Sequence, residues 1–177
     1  EHGGPDIVVN NAGVSDAVTL AHEETPDQFR RVLEVNLIAA FLLSAAVARE
    51  MIDHGRGGSI VNVASILGLV SSGGNHQAGY VVSKTGLLGM TRELAKQWAD
   101  HNIRVNAICP GYFESELTAE MFVSEDTPGL RYIRRNTLMK RPGKVEEFDG
   151  ALLLLASDAG SYITGEALVV DGGWTVR

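Results

Sequence analysis

The stretch Tyr80-Val81-Val82-Ser83-Lys84 is the part of the sequence from which the fold and the chemistry can be worked out. Tyr80 and Lys84 stand four residues apart in a run that predicts a helix, so they lie on one face about one turn apart. A phenol has a pKa near ~10, too high for a base at neutral pH, whereas a nearby ammonium favours the phenolate. The spacing predicts an acid/base tyrosine whose pKa a lysine lowers, with an ordinary exposed helical pair as the alternative.

The segments around this stretch alternate between predicted helix and predicted strand. The helix continues along an apolar stripe that faces a core, formed by Leu87, Met90, Leu94 and Trp98. Short apolar runs predict strands buried on both faces, at residues 6–9, 59–63, 103–108 and 168–170. This alternation predicts an α/β fold: a parallel sheet with right-handed crossovers and helices on both faces.

A long helix is predicted before the second strand. Thr25 is a good N-cap, Pro26 fits the first helical position, and Gln28 follows three residues after the cap. The pattern continues to about His54, with Gly55 just past the end. Its second half is apolar on nearly all sides, which predicts burial on more than one side.

The composition excludes several classes of partner. The net charge is −7 and no basic run is longer than Arg134-Arg135, which argues against nucleic acids and anionic membranes. The longest nearly apolar run, residues 37–48, is shorter than the ~20 residues of a bilayer span. A single cysteine, Cys109, suits a reducing compartment, and no secretory signal is recognisable at the start, so we expect a cytoplasmic protein with a buried, inert thiol.

Several motifs occur together and in a fixed order along the chain. They are NNAG at residues 10–13, Asn36 within the long helix, Ser65 after a strand, YVVSK at 80–84, Pro110-Gly111, Thr164-Gly165 and VDGG at 170–173. In this combination the chain resembles the short-chain dehydrogenases/reductases that consist of a single Rossmann domain. The resemblance covers nearly all 177 residues.

The resemblance implies four catalytic residues. Tyr80 would exchange the proton on the substrate oxygen while a hydride moves to or from a nicotinamide ring. Lys84 would lower the pKa of Tyr80 and bond the nicotinamide ribose. Ser65 would hold the substrate oxygen, although a plain loop cap is the alternative for it. Asn36 would bind a water that connects Lys84 to solvent, with a purely structural asparagine as the alternative.

The resemblance also implies a site for NAD or NADP and no metal. Besides Tyr80 and Lys84, the residues expected there are Asn11, Ala12, Gly13, Pro110, Gly111, Phe113 and Ser115. Ser115 stands where the family usually has threonine, and its hydroxyl is expected to bond the carboxamide. Asn10 is expected instead to tie neighbouring strands together. The choice between NAD and NADP stays open.

The glycine-rich turn that binds a pyrophosphate after a first strand is not found in the sequence. Glycines at 55–58 precede a strand, and those at 68 and 73–74 lead into the helix of Tyr80 with the wrong spacing. We therefore expect residues 1–177 to be the C-terminal portion of one Rossmann domain, lacking about three strand–helix units of roughly 30 residues each. The strand at 6–9 would then be a bare apolar edge.

The sequence is compatible with several functions. Residues 109–113 and 139–148 look most like gluconate 5-dehydrogenases and related sugar-acid enzymes, where Arg141 or Lys144 could pair with a carboxylate. The alternatives are a 3-oxoacyl carrier-protein reductase and a truncated chain that is inactive without a phosphate loop. The motifs argue against a sugar-nucleotide epimerase. The resemblance further suggests a homotetramer, and residues 114–135, with Leu117, Met121 and Phe122, are expected to form a substrate lid.

Overall fold

The four described strands form one parallel sheet. The computed structural model describes residues 4–124 and 126–176, apart from the side chains of Glu116, Leu117 and Glu120. In chain order and in spatial order the strands are β1 (Ile7–Asn10), β2 (Gly58–Val63), β3 (Ile103–Pro110) and β4 (Ala167–Val170). The predicted parallel α/β sheet is confirmed.

Helices cover the two faces of this sheet. They are α1 (Pro26–Leu33), α2 (Ala39–Asp53), α3 (Ala78–Trp98), α4 (Pro128–Asn136) and α5 (Glu146–Ala156). Short 3-10 segments lie at Ile66–Gly68, Ala99–His101, Glu116–Phe122 and Asp158–Gly160. Residues of α2 and α3 pack with β1, β2 and β3 in one core cluster, whereas α5 packs with β2, β3 and β4 in another. The sheet therefore lies between two helical layers.

The long predicted helix begins as expected and is interrupted where Asn36 stands. Thr25 accepts a hydrogen bond from the Gln28 backbone and Gln28 bonds back to the Thr25 backbone, which is a complete capping box. Between α1 and α2 the backbone widens into a π-helical segment at Glu34–Ile38, and Asn36 is buried in it. The interruption that the sequence predicts is thus a local change of helical pitch.

The predicted core stripe of α3 is confirmed. Leu87 and Leu94 are buried, and Met90 and Trp98 pack against the core clusters. Cys109 on β3 is fully buried, which confirms the expected burial, and burial raises the pKa of its thiol to about 11, which disfavours the reactive thiolate.

A buried chain of side-chain hydrogen bonds joins two strands to two helices. Asn10 Nδ2 donates to Asn62 Oδ1 on β2 over 2.7 Å and to Ser44 Oγ on α2 over 2.8 Å. Asn62 Nδ2 in turn donates to Thr91 Oγ1 on α3 over 2.9 Å. The structural role predicted for Asn10 is confirmed, and the chain fixes α3 against the sheet.

The expectation that the second half of the long helix is buried on several sides is wrong for this chain alone. Phe41, Leu42 and Leu43 on α2 are 45%, 60% and 49% exposed. The outer side of β1 is likewise apolar and open, with Ile7 49% and Val9 37% exposed at the edge of the sheet. The other side of α2 packs on the sheet, which leaves its outer side uncovered.

The helical run from Pro26 to Asp53 has 28 residues, and within the described chain it is the candidate membrane span by length and composition. Two buried polar side chains on it argue for a place in the α/β layers instead. Asn36 donates to Ser83 on α3, and Ser44 accepts from Asn10 on β1. Such contacts integrate the run into the fold.

Candidate active site

A cleft of about 830 Å³ opens where the polypeptide leaves the carboxyl ends of the strands. All nine residues predicted to bind the cofactor line it, and so does Ser65. They are Asn11, Ala12, Gly13, Tyr80, Lys84, Pro110, Gly111, Phe113 and Ser115. Carboxyl ends of adjacent parallel strands lie at one edge of a sheet, which is where open α/β folds bind ligands. The sequence therefore identified one continuous cleft from four separate segments.

Tyr80 lies in the first turn of α3, facing Ser65. Burial raises the pKa of Tyr80, a hydrogen bond with the Ser65 side chain opposes that rise, and the charge of Asp16 adds to it. Ser65 is buried, and its hydroxyl also accepts the backbone N–H of Leu67 over 3.1 Å. Ser65 thus both caps its loop and contacts Tyr80.

Gly68 explains how the loop of Ser65 comes so close to α3. A Cβ at position 68 would lie 2.8 Å from the carbonyl oxygen of Lys84 and 2.9 Å from its carbonyl carbon. Only a glycine allows this contact, because neither backbone can give way without distortion. Gly68 therefore lets the loop that carries Ser65 pack against the helix that carries Tyr80. The sequence alone did not indicate this role.

Lys84 lies buried on the same face of α3 as Tyr80, as the spacing predicted, and its amine bonds a strand carbonyl. Its Nζ donates to the carbonyl oxygen of Val63 over 2.8 Å and lies 5.5 Å from the centre of the Tyr80 ring. Burial lowers the pKa of Lys84 to about 8. The prediction that Lys84 lowers the pKa of Tyr80 is wrong for the cofactor-free chain, because burial of the phenol raises that pKa and outweighs the opposing hydrogen bond from Ser65.

Asn36 does not line the cleft but lies beneath it. Its Oδ1 accepts the N–H of Val14 over 2.8 Å, and its Nδ2 donates to the Val14 carbonyl over 2.9 Å and to Ser83 Oγ over 3.0 Å. The side chain therefore ties the loop after β1 to α3. A Cβ at Gly13 would lie 3.4 Å from Asn36 Oδ1 and 3.5 Å from Lys84 Nζ, so the backbone of this glycine passes close to both groups.

Two glycines shape the part of the cleft that would hold the nicotinamide end of a dinucleotide. A Cβ at Gly13 would fill the floor beside Lys84, and its absence leaves that floor open. A Cβ at Gly111 would lie 2.8 Å from the Cα of Asp171, so the turn after β3 must be glycine to reach the cleft. The donor set of a tyrosine, a serine and a buried lysine suits hydroxyl-bearing ligands.

The wall on the far side of the cleft follows β3. Ser115 caps the 3-10 segment that follows, and its hydroxyl lies 3.0 Å from that of Thr118. Thr118 and Met121, from the segment predicted to form a lid, also line the cleft, and the side chain of Leu117 lies outside the described residues. Phe113 packs edge-on against Phe148 and would meet any side chain at Gly143.

The structure adds cleft residues that the sequence analysis did not single out. Asn75 and Gln77 come from the glycine-bearing loop before α3, and Tyr112 follows Gly111. Tyr112 packs against Tyr132 and Trp174. The pKa of Tyr112 is raised to about 12, chiefly because the side chain is buried. For Asn75 and Gln77, the one indication in the sequence was that they belong to a polar loop directly before Tyr80.

The carboxylate-binding role considered for Arg141 does not fit the structure. Its guanidinium bonds both oxygens of Glu147, over 2.6 Å and 2.7 Å, and the pair lowers the pKa of Glu147 to about 2. Neither Arg141 nor Lys144 lines the cleft. Within the described chain, Lys84 is the one lysine or arginine side chain in the lining.

Known proteins resemble this chain in sequence and in fold. Residues 1–175 match the family model described as enoyl-(acyl carrier protein) reductase. The chain is 38% identical over 180 residues to 2-dehydro-3-deoxy-D-gluconate 5-dehydrogenase of Dickeya dadantii, covering 100% of this chain and 68% of that protein.

Two solved structures superpose closely. A 4-hydroxyisoleucine dehydrogenase complexed with NADH has a TM-score of 0.92 at 37% identity, over 98% of this chain and 70% of that one. A gluconate 5-dehydrogenase from Burkholderia cenocepacia in complex with NADP and tartrate has a TM-score of 0.92 at 33% identity, over 100% of this chain and 67% of that one. Sequence, fold and cleft agree, and the chain belongs to the short-chain dehydrogenase/reductase family, whose members here are NAD(P)-dependent oxidoreductases.

Proposed function

We propose that the protein transfers a hydride between NAD(P) and a secondary alcohol or ketone, with Tyr80 as the acid/base. The observation that carries this proposal is the convergence of Ser65, Tyr80 and Lys84 in one cleft at the carboxyl end of the sheet. No nucleophile with an adjacent base was found in the sequence, which favours proton transfer over a covalent mechanism.

The residues of the cleft divide the work. Ser65 and Tyr80 hold the substrate oxygen between them, and Tyr80 gives or takes its proton. Lys84, held by the Val63 carbonyl, bonds the cofactor ribose, and Asn36 keeps the floor of the site against α3. Asn11, Ala12 and Gly13 form that floor. Pro110, Gly111, Phe113 and Ser115 form the opposite wall. When bound, NAD(P) supplies or accepts the hydride.

We infer a sugar acid or a similar polyhydroxylated compound as substrate. The relatives named above include a 2-dehydro-3-deoxy-D-gluconate 5-dehydrogenase and a gluconate 5-dehydrogenase, which supports this class. Asn75 and Gln77 supply neutral donors and acceptors suited to hydroxyl groups. The residues at 114–135, whose Thr118 and Met121 line the cleft, would close over the bound substrate as a lid.

Steady-state turnover decides the proposal. Purified protein is mixed with NAD or NADP and a panel of gluconate-type acids, and the nicotinamide absorbance is followed. Turnover that requires both the acid and the dinucleotide supports the proposal. Calorimetric titration with NAD and NADP must accompany it: absence of binding to both would favour the alternative of an inactive truncated chain.

A second candidate is a reductase of acyl thioesters on carrier protein. The matched family model is described as enoyl-(acyl carrier protein) reductase, which favours this class. The same assay with a 3-oxoacyl thioester separates the candidates, since the preferred substrate has the higher kcat/KM.

We propose that the protein forms a homotetramer and that it is located in the cytoplasm. The exposed apolar side chains of α2 give another copy of the chain a surface on which to pack. The unpaired Cys109 is consistent with a reducing compartment.

A further inference from the structure

Asp16 holds the first turn of the helix that carries Tyr80. Its Oδ2 accepts the backbone N–H of Gly79 over 3.0 Å and that of Tyr80 over 3.4 Å. These N–H groups are among the four that a helix leaves without an intrahelical partner at its N-terminus. The N-cap residue itself, Gln77, makes no capping side-chain bond, so Asp16 caps α3 from a loop 63 residues earlier than Gly79.

Glu24 approaches the same turn from the segment before α1. A Cβ at Gly79 would lie 3.2 Å from Asp16 Oδ2, 3.2 Å from Glu24 Oε1 and 3.4 Å from the ring of Phe29. The missing side chain at position 79 therefore makes room for two carboxyl groups against one helical turn. Phe29 closes this space with an apolar ring, which adds neither charge nor a hydrogen-bond donor.

Two buried oxygen atoms of this pair have no hydrogen-bond partner. Within the described chain, Asp16 Oδ1 and Glu24 Oε1 are the buried side-chain atoms without one. Two ionised carboxylates offer only acceptors and repel each other, whereas one proton between them supplies the missing donor. Burial raises the pKa of Glu24, and the charge of the nearby Asp16 carboxylate raises it further.

We propose that Glu24 shares a proton with Asp16 and that the pair acts as a positioning clamp for Tyr80. The clamp rests on the acid/base role proposed for Tyr80. From α3 the phenol of Tyr80 is the titratable group that faces it, and the charge of Asp16 raises the pKa of that phenol. The loop before α3 contributes the neutral amide of Gln77, which donates to the Asp16 carbonyl over 3.5 Å.

The clamp has a direction in pH. Below the raised pKa of Glu24 the shared proton joins the two carboxyl groups. Above it the proton leaves, the two charges repel, and Glu24 withdraws from the turn. The backbone N–H groups of Gly79 and Tyr80 report this change, because both donate to Oδ2 of Asp16, the residue that shares or loses the proton with Glu24.

Amide titration by NMR tests the proton sharing without any assay of turnover. In the full protein, the Gly79 and Tyr80 amide signals are expected to shift through one step above the ordinary glutamate pKa of 4.5. Glu24→Gln, whose amide is a permanent donor, abolishes that step. Glu23→Gln, which changes an exposed neighbour whose carboxylate lies 3.8 Å from His22, keeps it. A step that persists in Glu24→Gln, or that is missing from the unmodified protein, overturns the shared proton.

The pH profile of turnover tests the positioning. Asp16→Asn removes the charge and keeps an acceptor, so the limb that reports Tyr80 is expected to move to lower pH while the Kd for NAD(P) stays unchanged. Asp16→Ala removes the cap, and we expect kcat to fall by ~10-fold or more. An unmoved limb in Asp16→Asn overturns the coupling to Tyr80. If the unmodified protein turns over no alcohol, the proposed function fails, and the amide titration still decides the clamp.

Discussion

The Nζ of Lys84 lies 5.5 Å from the centre of the Tyr80 ring, over its face. An ammonium without another partner would approach the phenol oxygen, whereas the Nζ of Lys84 donates a hydrogen bond to the Val63 carbonyl on β2. Burial of Tyr80 therefore keeps the pKa of its phenol raised in the cofactor-free chain, and Ser65 provides the opposing hydrogen bond. The strand end, rather than the helix alone, fixes the geometry of the pair.

Replacing Tyr80 by phenylalanine is expected to abolish turnover and to leave the fold intact. The substitution removes one hydroxyl, and general acid/base catalysis contributes typically 10²–10⁴-fold, so kcat should fall by at least ~10²-fold. Tyr162→Phe is the matched control, because Tyr162 is fully exposed. Steady-state kinetics with circular dichroism would measure this. A variant that keeps more than roughly a tenth of the activity would remove Tyr80 from the proton transfer.

Replacing Lys84 by methionine should change the pH dependence of stability. The pKa of Lys84 falls from 10.5 to about 8 through burial, so the folded chain releases a proton that the unfolded chain keeps between those pH values. The unfolded state then binds more protons, and the stability of the unmodified protein rises with pH across that window. Lys84→Met lacks this rise.

Below pH 8, Lys84→Met gains up to roughly 3 kcal/mol from removing a buried charge, less about 1 kcal/mol for the lost bond to Val63. Urea unfolding between pH 7 and 11 measures both slopes. The control Lys96→Met changes an exposed lysine on the same helix and should show no difference in slope. Parallel pH profiles for Lys84→Met and the unmodified protein would contradict the lowered pKa.

Periodicity and capping residues predicted most of the fold because these signals are local. Thr25 and Gln28 formed the capping box, and the apolar runs became the parallel strands. Asn36 was recognised as an interruption, yet its partners Val14 and Ser83 lie 22 and 47 residues away, and no local pattern reports them. The sequence therefore located the residue without its contacts.

The parts of the site that escaped prediction depend on contacts between distant segments. Two examples are the backbone contact between Gly68 and the Lys84 carbonyl, and the capping of α3 by Asp16. The resemblance to a family supplied the cleft residues, whereas burial decided their pKa values, which explains why the effect of Lys84 on Tyr80 was misjudged. Arg141 was misjudged in the same way, since its partner Glu147 satisfies both of its amino groups.

Replacing Asn10 by alanine should destabilise the fold without touching the cleft. Its Nδ2 is the donor for both Ser44 Oγ and Asn62 Oδ1, and buried acceptors left without a donor cost ~1–3 kcal/mol. The free energy of unfolding measures this. Asn11→Ala is the control, because the neighbouring Asn11 is exposed. Equal stabilities of the two variants would show that the buried chain of hydrogen bonds contributes nothing.

Replacing Leu42 by glutamate should break the proposed assembly. Leu42 is 60% exposed on α2 and lies beside Phe41 and Leu43, so these side chains form an apolar surface that another copy can cover. A buried carboxylate without a partner costs several kcal/mol, which exceeds what most interfaces tolerate at one position. Size-exclusion chromatography with light scattering is expected to show a tetramer for the unmodified protein and a smaller species for Leu42→Glu. Val123→Glu, at a side chain that is 77% exposed and does not belong to α2, should leave the mass unchanged. A tetramer that persists in Leu42→Glu would place the interface on another face of the protein.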